Sequence, residues 1–361
     1  MRLANKNIQK LKPYVSIPHK IWELSSKSNI LKLDWNEATI KPSEKVSQNI
    51  IEYMTSGFLN WYPNTKNTDL LQKIALYANQ PDSTYIEIFG SSDVAHEAII
   101  DVFVDKEKDI IGIISPTYDN FRARANGVGC KTVMFSLDKK NFDLDVKALE
   151  IFLSKNKIKM LYLCYPNNPT GILYNKNQIE QLIGKFPETM FLIDEAYYEF
   201  SKQSFMDLTQ KYDNFIITRT FSKAFALASF RIGYVISHYK NIQAINKLRN
   251  SKNISMLSQI AAISALDDLE YMEKYVDEVS KAREFTVLSL KELGVYVYEK
   301  SMANFVLIKT DDVFELLKFL EAKGIFIRNY SHIILGHCRV SIGTLEQMKC
   351  FIDNVREFYA R

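Results

Sequence analysis

The stretch Thr220–Tyr234, TFSKAFALASFRIGY, decides how the rest of the chain is read. It continues the apolar, β-type run Ile216-Ile217-Thr218, presents Ser222-Lys223, and passes into small residues that predict a short helix over Ala224–Ala228. A lysine at the exit of a buried strand is unusual, because desolvating an ammonium is costly unless its charge is removed or paired. One chemistry uses a lysine there: a Schiff base with an aldehyde, for which burial lowers the amine pKa and makes it nucleophilic. Eight residues on, Arg231 supplies a second cation, while Thr220 and Ser222 supply hydroxyl donors. Those three suit a phosphate monoester. The same residues also fit an ordinary strand–helix turn with a snorkelling lysine and a surface arginine. On this stretch alone the two readings are even.

Outward from it, strands and helices alternate. Apolar runs predict strands at 84–90, 109–118, 130–137, 159–166, 190–200, 214–220 and 232–238, separated by helical patterns at 91–103, 121–127, 143–154 and 175–186. Near-continuous apolar strands between amphipathic helices predict an α/β fold with a mostly parallel sheet covered on both faces. Ligands of such sheets sit at the carboxyl ends of the strands, where Gly90, Tyr118, Asn168, Asp194 and Lys223 all fall. Residues 241–294 predict a long helical stretch broken near Asn253–Ser255, followed by short strands alternating with helices at 313–323 and 345–358. The expected organisation is an N-terminal arm, 1–34, packing with the small domain; a large domain, 35–245; and a smaller C-terminal α+β domain, 246–361.

Composition sets limits on function. At 361 residues the chain is long enough for about two domains. Its net charge of +4, from 46 basic and 42 acidic residues without blocks of one sign, argues against a nucleic-acid or membrane surface. Cys130, Cys164, Cys338 and Cys350 have no CxxC spacing, and no signal-peptide pattern follows the N-terminus, so a cytoplasmic protein with reduced thiols is expected. The five histidines lack metal-ligand spacing, and no metal is expected.

The order LDWNEATIKPS, WYPN, GSSD, SPTY, YPNNPTG, DEAYYEF, TRTFSKAFALASFRIGY, ANF and RVSIGT resembles the fold-type I pyridoxal-phosphate (PLP) enzymes of the class I/II aminotransferase family. The likeness is greatest to the histidinol-phosphate aminotransferases and covers essentially the whole chain. It implies a fold-type I transferase with PLP as cofactor, acting between an amino acid such as L-glutamate and a small phosphorylated carbonyl compound. It implies that Lys223 forms the Schiff base, that Asp194 faces the ring nitrogen, and that Tyr197 and Asn168 serve the phenolate oxygen. A carboxylate at the ring nitrogen keeps it protonated, so the ring can accept carbanion electrons.

By the same resemblance Tyr118 stacks on the ring. Ser91, Ser92 and Asp93, opening a helix, hold the phosphate together with Thr220, Ser222 and Arg231. A helix N-terminus favours such an anion by roughly 0.3–1 kcal/mol when exposed. Tyr62 is implied to reach the neighbouring active site of a homodimer. Arg339 and Arg328 are implied to bind anionic groups of the substrate, with Asn36 and Asn304 bordering its pocket. The chain departs from the family pattern at Ser229-Phe230, at Ala38-Thr39-Ile40 and at Phe121, which leaves the acceptor open. A decarboxylase of a phosphorylated amino acid shares all the cofactor residues and stands as the alternative. A PLP-binding regulator expects an added DNA-binding domain, for which the chain leaves no room.

Overall fold

A computed structural model describes residues 4–11, 20–24 and 30–361. Parts of the expected arm, including Pro13 and Pro18, lie outside the described residues. Two sheets organise the rest. A short strand β1 (Leu31–Leu33) precedes seven strands: β2 (Ile86–Phe89), β3 (Ile110–Ser115), β4 (Lys131–Ser136), β5 (Ile158–Cys164), β6 (Met190–Asp194), β7 (Phe215–Thr220) and β8 (Gly233–Ser237). These seven form one sheet in the order β2-β8-β7-β6-β5-β3-β4. Neighbours from β4 to β7 run parallel, and β8 is antiparallel to both β7 and β2. Every residue of β6, β7 and β8 is buried, which is why these strands read as unbroken apolar runs.

The second sheet has the order β1-β11-β12-β10-β9, with β9 (Tyr296–Val297), β10 (Phe305–Lys309), β11 (Ile325–Asn329) and β12 (His337–Ser341). Strand β1 adds to it in parallel, pairing Leu31 with Ile325 and Leu33 with Ile327. From β1 the chain passes along one side of the cleft before entering the larger sheet, whereas the described helix Lys6–Lys10 of the expected arm packs not with the smaller sheet but on helix Asn120–Gly127, with Ile8 and Leu11 against Gly127. Helix Met256–Leu266 packs on helices Glu44–Ser56 and Thr68–Tyr77, and the long helix Leu269–Glu292 packs on Leu345–Tyr359.

Two sequence expectations fail locally. No helix forms over Ala224–Ala228: Ala226 is left-handed (φ 58°), which stops helical propagation, and a 3-10 turn follows at Ala228–Phe230. The predicted strand 190–200 ends at Asp194. The chain then turns, Tyr198 N–H bonding back to the Glu195 carbonyl across 3.0 Å, and forms a one-turn helix, Tyr198–Ser201. Glu195 causes the turn. Its carboxylate is wholly buried and takes the Arg219 guanidinium (2.8 Å), the Ser204 hydroxyl (2.7 Å) and the Phe205 N–H (2.8 Å). Burial of a charge with a full set of partners dictates the backbone path more firmly than strand propensity.

Candidate active site

The carboxyl ends of β5, β6 and β7 open into a cleft of about 450 Å³, closed on its far side by Arg328, Tyr330 and Arg339 of the smaller sheet. This is the end of a parallel sheet where ligands collect.

Lys223 leaves β7 on the turn after Thr220 and lines the cleft. Its Nζ donates to the backbone oxygen of Trp35 at 2.9 Å. Burial lowers its pKa to about 8, opposed by Glu37 and assisted by the positive charges of Arg339 and Lys32. The neutral amine, about a tenth of the total at pH 7, is therefore far more abundant than for an exposed lysine, as a nucleophile or proton carrier requires.

Asp194 ends β6, buried at the cleft floor. Oδ2 accepts from the Tyr162 hydroxyl at 2.9 Å, and His96 Nε2 lies 3.9 Å away. Burial raises its pKa, against the pull of His96 and the Tyr162 hydrogen bond. Such a carboxyl calls for a cation in front of it.

Above it, Tyr197 is the hub of a network between the sheets. Its hydroxyl accepts from Asn36 Nδ2 (3.0 Å) and Asn168 Nδ2 (3.1 Å), which fills both lone pairs and leaves its own proton to donate. Burial pushes the phenol pKa up, so it remains a donor across the physiological range. Asn168 Oδ1 in turn accepts from Arg339 Nη1 (2.7 Å) and from the Tyr330 hydroxyl (3.2 Å). Arg339 also binds the carbonyl of Asp34 (2.7 Å).

The other end of the cleft is a cradle of donors. Ser91 caps helix Ser92–Phe103, accepting from Val94 N–H at 3.3 Å, and holds φ 145°, a region that L-residues rarely adopt. Ser92 and Asp93 follow at the positive end of the helix. Thr220 and Ser222 hydroxyls bond each other at 2.9 Å, and Arg231 Nη1 reaches Ser222 Oγ at 3.4 Å from the cleft's rim. Gly233 of β8 passes directly beneath: a Cβ there would stand 2.7 Å from Ser92 N and 2.7 Å from the Arg219 carbonyl. Only glycine lets β8 support this cradle.

The structure thus brings Asn36, Ser91, Ser92, Asp93, Tyr118, Asn168, Asp194, Tyr197, Thr220, Ser222, Lys223, Arg231, Arg328 and Arg339 to one cleft. Asn304 stands one step back, donating to the Asn36 carbonyl at 3.1 Å. Tyr62 does not line this chain's cleft; it is 78% exposed, with Lys252 Nζ 4.7 Å from its ring. Sequence reasoning missed Trp35, Tyr330, Tyr162 and His96. His96 follows Ser92 by four residues, one helical turn, and that spacing was the available signal. Tyr162 is hidden in an apolar run.

The donor set fits PLP. A buried carboxylate stands at one end, a phosphate cradle of helix terminus, two hydroxyls and an arginine at the other, with Lys223 and the donating Tyr197 between. Asp194, raised by burial, would hold the protonated ring nitrogen, and the cradle would hold the phosphate.

Residues 28–355 match the family described as Aminotransferase class I and II. The chain is 60% identical over 358 residues to a dihydroxyacetone phosphate transaminase of Campylobacter jejuni, covering 98% of this chain and 97% of that one. It is 34% identical to a histidinol-phosphate aminotransferase of Buchnera aphidicola, covering 99% and 98%. In fold it is similar to the histidinol-phosphate aminotransferase of Sinorhizobium meliloti solved with pyridoxal-5'-phosphate (TM-score 0.88, 23% identity, 100% of this chain and 98% of that one). The chain belongs to the class I and II aminotransferases and is a pyridoxal 5'-phosphate-dependent aminotransferase of fold type I.

Proposed function

We propose that this enzyme moves an amino group between L-glutamate and a small phosphorylated carbonyl compound of the dihydroxyacetone phosphate kind. One observation carries the reading. Arg328 and Arg339 are register partners on neighbouring strands, and both line the cleft. Like charges directly opposite each other on a sheet are destabilising. Among the described residues no carboxylate pairs with either, and Arg328 is only 7% exposed. Two buried guanidinium groups facing one cleft call for a doubly charged or two-headed anion. The relative that is 60% identical, named for dihydroxyacetone phosphate, supports a short phosphorylated acceptor.

Bound in this site, PLP supplies an aldehyde to take up the amino group and an electron-poor ring to stabilise negative charge on the substrate carbon. Lys223 then removes and returns the substrate proton, breaking its bond to the Trp35 carbonyl as it does so. Tyr197 donates its hydroxyl proton into the cleft, and Arg339 and Arg328 orient the substrate anions.

The active unit is read as a homodimer. Ile51, Met54, Phe58, Leu59, Trp61 and Tyr62 are all exposed on one short stretch, an apolar cluster of the kind that marks interaction surfaces. A second copy covering this face would bring Tyr62 towards the other copy's cleft. A cytoplasmic location is supported by four unpaired cysteines, three of them buried. No described helix is long and apolar enough to cross a membrane.

The acceptor is tested by converting the enzyme to its amino form with glutamate and then adding dihydroxyacetone phosphate or dihydroxyacetone. The phosphorylated ketone is expected to react at least about 100-fold better, the scale on which a site built for a polar group rejects an analogue lacking it. Equal reaction of both would overturn the phosphate assignment. Carbon dioxide release from a phosphorylated amino acid, without transamination, would replace the reading by a decarboxylase.

A further inference from the structure

We propose that Trp35 sets the size of the acceptor: its indole walls the cleft beside Arg328, admitting a short phosphorylated ketone and excluding one that carries a ring. The inference rests on the phosphorylated acceptor assigned above.

Trp35 touches both ends of the reacting space. Its backbone oxygen accepts from Lys223 Nζ at 2.9 Å, and its ring lies 5.9 Å from the Arg328 guanidinium. A substrate anchored by its phosphate on Arg328, with its carbonyl carbon near Lys223, therefore runs along this side chain.

The wall is also fixed. On one side the Asp34 carbonyl accepts from Arg339 Nη2 at 2.7 Å. On the other, Asn36 is left-handed (φ 56°), its carboxamide donating to the Tyr197 hydroxyl and accepting from Ser341 Oγ at 2.9 Å. The backbone is thus held on both sides of Trp35, at residues 34 and 36, whether or not Lys223 keeps its bond to the Trp35 carbonyl. Two cations approach the ring: Lys32 Nζ, held by the carboxylates of Asp34 and Glu37, is 5.3 Å from its centroid, and the Arg328 guanidinium is 5.9 Å away. Both lie within cation–π range. A flat, rigid indole gives a harder boundary than a flexible aliphatic side chain.

Selectivity measurements on Trp35→Ala and Trp35→Phe test this, with dihydroxyacetone phosphate as acceptor and L-histidinol phosphate as amino donor. The wild-type enzyme is expected to favour the three-carbon compound. In Trp35→Ala the ratio of the two kcat/KM values should shift by about 10-fold or more towards the imidazole-bearing compound, the scale of a pocket-size change. Trp35→Phe should shift it less, in the same direction. Damage to folding or cofactor binding lowers both values together and leaves the ratio alone. If Trp35→Ala does not retain the cofactor's visible absorption, Trp35→Phe decides. A wild-type enzyme that uses dihydroxyacetone phosphate, with the ratio unmoved in the variants, overturns the Trp35 inference alone. A wild-type enzyme that uses neither phosphorylated compound overturns the acceptor reading and this inference with it.

Discussion

The Tyr162 hydroxyl donates to Oδ2 of Asp194 across 2.9 Å, with both groups buried behind the cleft floor. The bond fixes the carboxylate's rotation, while burial raises its pKa in the protein alone. A buried carboxylate of this kind costs stability until a cation faces it. Asp194→Asn keeps the shape and removes the charge. Cofactor affinity and kcat should each fall by about 100-fold or more, the equivalent of breaking a buried pair worth about 3–5 kcal/mol. Thermal unfolding of the cofactor-free protein should be unchanged or slightly higher in temperature. Titration with PLP, followed by visible absorption, and a melting curve check the two halves.

Lys223 is expected to impose a pH dependence on cofactor uptake. Its pKa, lowered to about 8 chiefly by burial, means that the reactive neutral amine increases as pH rises through 8 and levels off above it. The rate at which the cofactor-free protein takes up PLP should therefore climb from pH 6 to 8 and flatten near pH 9. An exposed lysine would continue to gain up to about pH 10.4. Stopped-flow absorbance across this range distinguishes the two curves.

Arg328 should govern acceptor binding more than the chemical step. Arg328→Lys keeps a charge but loses the planar fork, and Arg328→Ala loses both. The expected pattern is a rise in KM for the phosphorylated acceptor, about 10-fold for Lys and 100-fold for Ala, with the glutamate half-reaction much less affected. Steady-state kinetics at fixed glutamate checks it.

Tyr62 does not line its own cleft, so a shared site predicts complementation between chains. Tyr62→Ala and Lys223→Ala should each be impaired alone. Mixing them through dissociation and reassociation forms hybrids with one intact site, and random pairing recovers about a quarter of wild-type activity. No recovery, with dimers present by sedimentation, would remove Tyr62 from the partner's site.

Much of the cleft was legible because its residues sit at strand ends, where local pattern and chain order coincide. Asp194, Thr220 and Lys223 each terminate an apolar run, and Ser91 opens a helix. What stayed hidden is what only long-range contact creates. Tyr162 reads as core until its neighbour across the β5–β6 ladder is known. Tyr330 and Trp35 gain meaning only when the smaller sheet closes over the larger one. The Glu195–Arg219 pair, wholly buried, with the Tyr198 ring centroid 3.4 Å from the guanidinium, was visible as two opposite charges in adjoining apolar runs. Its register across β6 and β7 was not. The helix expected after Lys223 failed for a related reason. Small residues favour helix locally, but returning the chain to β8 requires Leu227 N–H to bond the Phe221 carbonyl at 3.0 Å, a closed loop incompatible with a continuous helix.

The most direct measurement is the half-reaction of the PLP-loaded protein with excess L-glutamate, wild type beside Lys223→Ala. The account predicts that the wild-type visible absorption band disappears, with one 2-oxoglutarate released per active site, and that Lys223→Ala neither shows that band nor releases 2-oxoglutarate. A wild-type spectrum indifferent to glutamate, or a Lys223→Ala protein that still turns over, would contradict it.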